Sequence, residues 1–195
     1  MGRKWDTDYG LVRAFSTDRS VAAFKELYSR YRDKVYATAY QITGDRTEAL
    51  DVAQEVFLRV FRKIDHFRFE SSFSSWLYRL TTNMAMDFRR RRRCRPTRPL
   101  ETLGEDGELR TTGIASDESG PVSRNESREL SEEVSRALGV LSPKLRAVVV
   151  LRYLQGLDYE EVAQVIGKPV GTVKSRLNRA HEKLKPVLER LNRLV

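Results

Sequence analysis

The strongest constraint on the fold is a change of texture in the middle of the chain. From Pro96 to Arg128 the sequence is rich in Gly, Ser, Thr, Pro and acidic residues and holds no sustained apolar period, whereas on either side apolar residues recur every three or four positions. A stretch of that kind cannot bury enough surface to offset the entropy of ordering it, which predicts a flexible linker over 95–128. The flanks, 1–94 and 129–195, then fold as two units of under roughly 100 residues each. Their period is helical and no strand-like alternation or internal repeat stands out. The expected class is therefore all-α, two small helical domains joined by a flexible linker.

In the first unit Phe24, Leu27, Tyr28, Tyr31, Val35, Ala39 and Ile42 mark one amphipathic helix from Ser20 to Ile42, which Thr43, Gly44 and Asp45 end. Asp45 followed by Glu48 fits a capping box for the next helix, which should reach about Ile64. After a short loop a further helix runs from about Ser74 to the arginine run at Arg89 to Arg93. In the second unit, Ser142 before Pro143 looks like an N-cap with proline at the first helical position, and Gln155-Gly156 is a stop. Asp158 with Glu161 starts another helix, Gly167 breaks it, and the last helix spans about Val170 to Leu191. Val148, Val149, Val150 and Leu151 point all around their helix, so they are either wholly buried or leave apolar surface for a partner.

The charge balance narrows the partners. Lys and Arg number 36 against 27 Asp and Glu, a formal charge of +9, which favours an anionic partner and places nucleic acid first. Cys94 is the single cysteine, so no disulfide can form within the chain, and its arginine-rich surroundings read as incidental. No apolar run approaches the roughly 18 residues of a membrane span, and Met1 to Gly10 lacks the apolar segment of a signal peptide. The expectation is a cytoplasmic protein without membrane insertion. His66 and His181 are isolated, and neither a phosphate-cradling glycine loop nor a nucleophile motif is present in the sequence. No metal, cofactor or catalytic residue is expected, and an enzyme is the weakest reading.

Three faces carry the binding chemistry. Tyr159 to Leu184 has the layout of a helix-turn-helix: Ala163 is small where helices cross, Gly167 allows the turn, and Val173, Leu177, Ala180 and Leu184 form one apolar stripe. Opposite that stripe lie Thr172, Ser175, Asn178 and Arg179, with Lys174 at the flank, donors and acceptors suited to base edges in the major groove. On the helix from Glu48 to Ile64, the half opposite the apolar side holds Asp51, Gln54, Glu55, Arg59 and Arg62. Leu58 falls among them, an apolar residue ringed by polar ones, like the anchor of an interface. The helix after Ser74 carries Trp76, Arg79, Asn83, Met86 and Arg90 in a stripe that leads into Arg89 to Arg93. Aromatic faces stack on unpaired bases and guanidinium groups hold phosphates, a mixture suited to single-stranded DNA, although Trp76 alone fits a core position equally well.

The run DVAQEVFLRVFRKIDHFRFESSFSSWLYRLTTNMAMDFRRRRR, Asp51 to Arg93, closely resembles region 2 of the extracytoplasmic-function sigma factors. Leu141 to Leu184, with PVGTVKSRL from Pro169 to Leu177, is similar to their region 4. The resemblance implies a subunit that lends RNA polymerase its promoter specificity. It assigns Asp51, Gln54, Glu55, Leu58 and Arg62 to the clamp of the polymerase largest subunit. The loop from Phe67 to Ser75 and the helix after it, with Phe73, Trp76, Arg79, Asn83, Arg89, Arg90 and Arg91, would capture and melt the minus ten element. Thr172, Lys174, Ser175, Asn178 and Arg179 would read the minus thirty-five duplex, the apolar surface of the second unit would hold the flap of the second-largest subunit, and an anti-sigma factor is an expected partner. Ala53 stands where the family usually has an aliphatic residue. Two rivals stay open: a helix-turn-helix regulator that does not enter polymerase, and a sigma mimic that only binds an anti-sigma factor.

Overall fold

Local capping chemistry sets where most of the helices begin and end. The computed structural model describes residues 6–94 and 132–191; the linker expected over 95–128 lies outside them. Helix α1 (Asp6–Asp18) buries Val12 and Phe15. Helix α2 (Val21–Thr43) starts at Ser20, whose hydroxyl accepts from the Ala23 amide at 3.3 Å, and its stripe of Ala23, Leu27, Tyr31, Val35, Ala39 and Ile42 faces the core. It stops at Gly44, whose φ of +75° is a left-handed conformation that costs a side-chain-bearing residue dearly. Asp45 accepts from the Glu48 amide at 3.0 Å and opens α3 (Arg46–Lys63), which tightens into a 3₁₀ turn at Ile64–His66. Helix α4 (Phe73–Cys94) is started by Ser72, whose hydroxyl accepts from the Ser75 amide at 3.1 Å, and it continues through the arginine run.

The second unit opens with α5, helical over 132–138, followed by α6 (Pro143–Val149) with proline in its first turn. Ser142 starts α6 through its carbonyl, which accepts from the Arg146 amide at 2.9 Å, while its hydroxyl makes no capping bond. The helix then widens into a π turn, Val150–Leu154, closed by the Gln155 amide on the Val150 carbonyl at 3.0 Å. Gly156 reverses the chain with φ +68°. Helix α7 (Tyr159–Ile166) carries a full capping box between Asp158 and Glu161, and Gly167, φ +62°, ends it before α8 (Val170–Leu191). Val173, Leu177, Ala180 and Leu184 are all buried, as a helix-turn-helix requires.

Val148 to Leu151 are wholly buried, so this run leaves no apolar surface for a partner. The reason is tertiary. Helix α8 packs on α6 from one side, and α2 of the first unit packs on both α6 and the π turn from another. The exposed apolar residues of this unit are instead Tyr153, Leu154 and Leu188, with Val140. The two units thus dock, chiefly through α4 against α7 and α2 against α6 and the π turn.

Candidate nucleic-acid interface and partner groove

Helix α3 buries Ala49, Val52, Val56, Phe57 and Val60 and turns Asp51, Gln54, Leu58, Arg59 and Arg62 to solvent, with Glu55 half-buried and in an ion pair with Arg59 at 3.1 Å. Leu58 keeps 40% of its surface exposed. It does not stand on a convex face. Asp51, Gln54, Glu55, Leu58 and Arg59 form one wall of a groove of about 410 Å³ whose other wall is Met84, Asp87, Phe88 and Arg91 of α4. Leu58, Met84 and Phe88 give the groove an apolar lining, and its charged lining carries both signs, Asp51, Glu55 and Asp87 with Arg59 and Arg91, which suits an amphipathic segment of mixed charge. Arg62 is exposed but lies beyond the lining.

Helix α4 has a second, aromatic end. Trp76 is half-buried against Phe67 and Phe73, with ring centroids 5.4 and 5.9 Å away, and Phe69 sits 4.9 Å from Phe67 and 5.1 Å from Tyr9 of α1. Phe69 adopts φ +58°, a strained conformation for an aromatic residue, held by these contacts. Phe73 is buried, so it supports this wall from behind, while Asn83 and Arg90 lie exposed further along the helix. Arg79 donates to the Gln164 carbonyl of α7 at 2.7 Å, Arg89 to the Ile42 carbonyl at 2.9 Å, and Arg90 pairs with Asp87 at 3.2 Å. Arg91 holds its guanidinium 5.9 Å from the Phe88 ring centre, at the edge of the α3 groove. Trp76, Asn83 and Arg90 therefore share a path along α4, while Arg89 and Arg91 turn to its flanks.

Helix α8 presents Lys174, Ser175, Asn178 and Arg179 to solvent and Thr172 half-buried beside them. Ser175 donates to the Thr172 carbonyl at 3.1 Å, and Lys174 lies 5.8 Å from the Tyr159 ring centre. These side chains leave the recognition face free at the N-terminal turns of the helix, the part that enters a major groove.

Two family models match the chain: Sigma-70 region 2 over residues 27–95 and Sigma-70, region 4 over residues 131–184. The ECF RNA polymerase sigma factor SigW of Bacillus subtilis (strain 168) is 36% identical over 169 residues, which cover 87% of this chain and 90% of that one. The chain belongs to the extracytoplasmic-function sigma factors of RNA polymerase. The ECF RNA polymerase sigma-E factor of Haemophilus influenzae is 36% identical over 187 residues, covering 95% and 97% of the two chains. Among solved structures, CnrH in complex with the cytosolic domain of CnrY superposes with a TM-score of 0.70 at 25% identity, over 95% of this chain and 99% of that one.

Several features of this sigma factor have no counterpart in the sequence reading. Tyr78 of α4 is buried and donates its hydroxyl to the Gln155 side chain of the second unit at 2.8 Å. Burial, reinforced by the nearby Glu161 carboxylate, pushes its pKa up to about 12. Arg146 of α6 is only 3% exposed and donates to the Ile42 carbonyl at 3.3 Å. Burial, and then repulsion from Arg89, lowers its pKa to about 10. An arginine on a short helix reads as a solvated charge, and nothing local marks it otherwise. The α4 wall of the groove was equally hidden, because Asp87 and Phe88 meet α3 only through packing.

Proposed function

We propose that this sigma factor binds core polymerase through the α3–α4 groove, captures the minus ten element as single strand on α4 and reads the minus thirty-five duplex with α8. The observation that carries the reading is Leu58, which folding leaves partly exposed in a groove lined also by charged side chains. A leucine in that setting gains from being covered by a partner. Asp51, Gln54 and Glu55 would set the orientation of the clamp, with Arg62 contributing at the margin. Trp76, Asn83 and Arg90 line the strand path. Phe73 backs the aromatic wall, and Arg79, Arg89 and Arg91 supply charge from its flanks. Thr172, Lys174, Ser175, Asn178 and Arg179 supply base and phosphate contacts in the major groove.

The exposed surface of Tyr153, Leu154 and Leu188 is the part of the second unit suited to the polymerase flap, in place of Val148 to Leu151. Melting costs a few kcal/mol per extruded base, which stacking and phosphate contacts on α4 would offset. The chain makes no bonds itself. It acts in the cytoplasm as a polymerase subunit, and the segment 95–128 connects the unit that grips the minus ten element to the one that grips the minus thirty-five. Run-off transcription with purified core polymerase tests the reading: specific initiation that Leu58→Asp abolishes supports it, and initiation that Leu58→Asp leaves intact would overturn the assignment of the α3–α4 groove to polymerase.

A further inference from the structure

Helix α1 precedes the residues that match Sigma-70 region 2, and its burial of Val12 and Phe15 accounts for only one of its faces. It is fastened at both ends. Near its start Asp8 is buried, accepts from the Tyr31 hydroxyl and pairs with Arg30 at 3.1 Å, both residues of α2. Just past its end Arg19 donates to the Phe61 carbonyl at 2.8 Å and pairs with Asp65, in the 3₁₀ turn that leads into the loop 67–72. One residue on from Asp8, Tyr9 is 44% exposed and lays its ring 5.1 Å from that of Phe69, in the middle of the loop. The ends of this loop are fixed by hydrogen bonds, the Phe67 amide on the Ile64 carbonyl at 2.9 Å and the Ser75 amide on the Ser72 hydroxyl at 3.1 Å. Its middle depends on rings. Phe69 has φ +58°, which a bulky residue keeps only where its surroundings hold it there.

We propose that α1 is a brace for the minus ten capture loop and that Tyr9 is a positioning residue for single-strand capture, holding Phe69 and, through it, the ring of Trp76. The inference rests on the assignment of the loop and α4 to the minus ten strand. Four rings run in a row from α1 to the strand path: Tyr9 to Phe69 at 5.1 Å, Phe69 to Phe67 at 4.9 Å and Phe67 to Trp76 at 5.4 Å. Each separation lies in the range where aromatic pairs attract. A second line of support starts at Asp8, which holds Tyr31; the Tyr31 ring meets Phe73 at 5.5 Å, and Phe73 backs Trp76 at 5.9 Å. The cavity left between Tyr9, Val12 and the loop measures about 10 Å³, room for about one water and far too little for a base. The α1 side is therefore a seat for the loop and not a second base site. A loop already held in its binding conformation spares the incoming strand the cost of ordering it.

The test uses the full chain assembled with core polymerase, and a fluorescent single-stranded DNA that the wild-type holoenzyme has selected from a random pool. Tyr9→Ala should weaken binding of that DNA about five-fold, the worth of one aromatic pair, while Tyr9→Phe, which keeps the ring, should bind as wild type does. Both variants should bind core polymerase with wild-type affinity, since Tyr9 lies outside the α3–α4 groove. Without DNA, hydrogen exchange at amides 68–71 should quicken in Tyr9→Ala and not in Tyr9→Phe. In a Phe69→Ala background Tyr9→Ala should cost nothing further, because it acts through that ring. Full DNA affinity in Tyr9→Ala, an equal loss in Tyr9→Phe, or unchanged exchange in the loop would each overturn the brace. So would a loss that persists without Phe69, which would make Tyr9 a direct DNA contact. Arg90→Ala, on α4 and away from the loop, tests the underlying reading separately: unchanged DNA affinity there would overturn the assignment of α4 to the strand, and weakened affinity there with full affinity in Tyr9→Ala would overturn the brace alone.

Discussion

Replacing Leu58 by aspartate probes the groove most directly, because the structure lets its two effects be sized separately. Complete burial of a leucine is worth about 1.5–3 kcal/mol, and 40% of Leu58 remains exposed. Covering that two-fifths in a complex is therefore worth about 0.6–1.2 kcal/mol, so Leu58→Ala should weaken polymerase binding by at most about three- to eight-fold. Leu58→Asp adds the desolvation of a carboxylate beside Asp51, Glu55 and Asp87, which raises the loss to about 2 kcal/mol or more, roughly thirty-fold. The three-fifths of Leu58 already covered contributes about 0.9–1.8 kcal/mol to the free protein, so its melting midpoint should fall by about 2–7 °C and no further. The assay is a melting curve and a core-polymerase titration on the same preparations. Unchanged affinity in a folded Leu58→Asp protein would refute the interface, and a fall in the midpoint of more than about 15 °C would show that Leu58 is a core residue.

The remaining predictions concern DNA and stability. Arg179→Ala and Ser175→Ala should each cost about 1–3 kcal/mol of duplex binding and relax preference at one promoter position, measured by competition among single-base variants; equal loss on every sequence would make them phosphate contacts. Removing the exposed Arg90 should lower the log-log salt slope of DNA affinity by about one unit, and an unchanged slope would take Arg90 off the strand path. Gly167→Ala places a side chain at φ +62° and should destabilise the second unit by about 1–2 kcal/mol in a denaturant titration. Arg146→Met removes a buried cation while Arg89 still serves the Ile42 carbonyl, so the melting midpoint should hold or rise by about 2–4 °C; a lower midpoint would show that the lost hydrogen bond outweighs the desolvation.

By itself the sequence determined the helices and the chemistry displayed along them. Ser20, Asp45 and Asp158 cap helices, and Gly44 and Gly167 end them, because capping acts within one turn and needs no distant partner. The exposed face of α8 and the position of Leu58 followed from helical period alone, and the family resemblance gave those faces their roles. Helix α1 had a usable signal in Val12 and Phe15 at a spacing of three, but one short pair is weak against the polar residues around it. Tertiary structure decided the rest. Whether Val148 to Leu151 would be covered depended on α2, more than a hundred residues away in sequence. The α4 wall of the Leu58 groove, the burial of Arg146 and the pairing of Tyr78 with Gln155 likewise arise where separate segments meet. Hydrophobic period reports which side of a helix is buried. It carries no record of what buries it, because that depends on shape and charge matching between surfaces that no local pattern encodes.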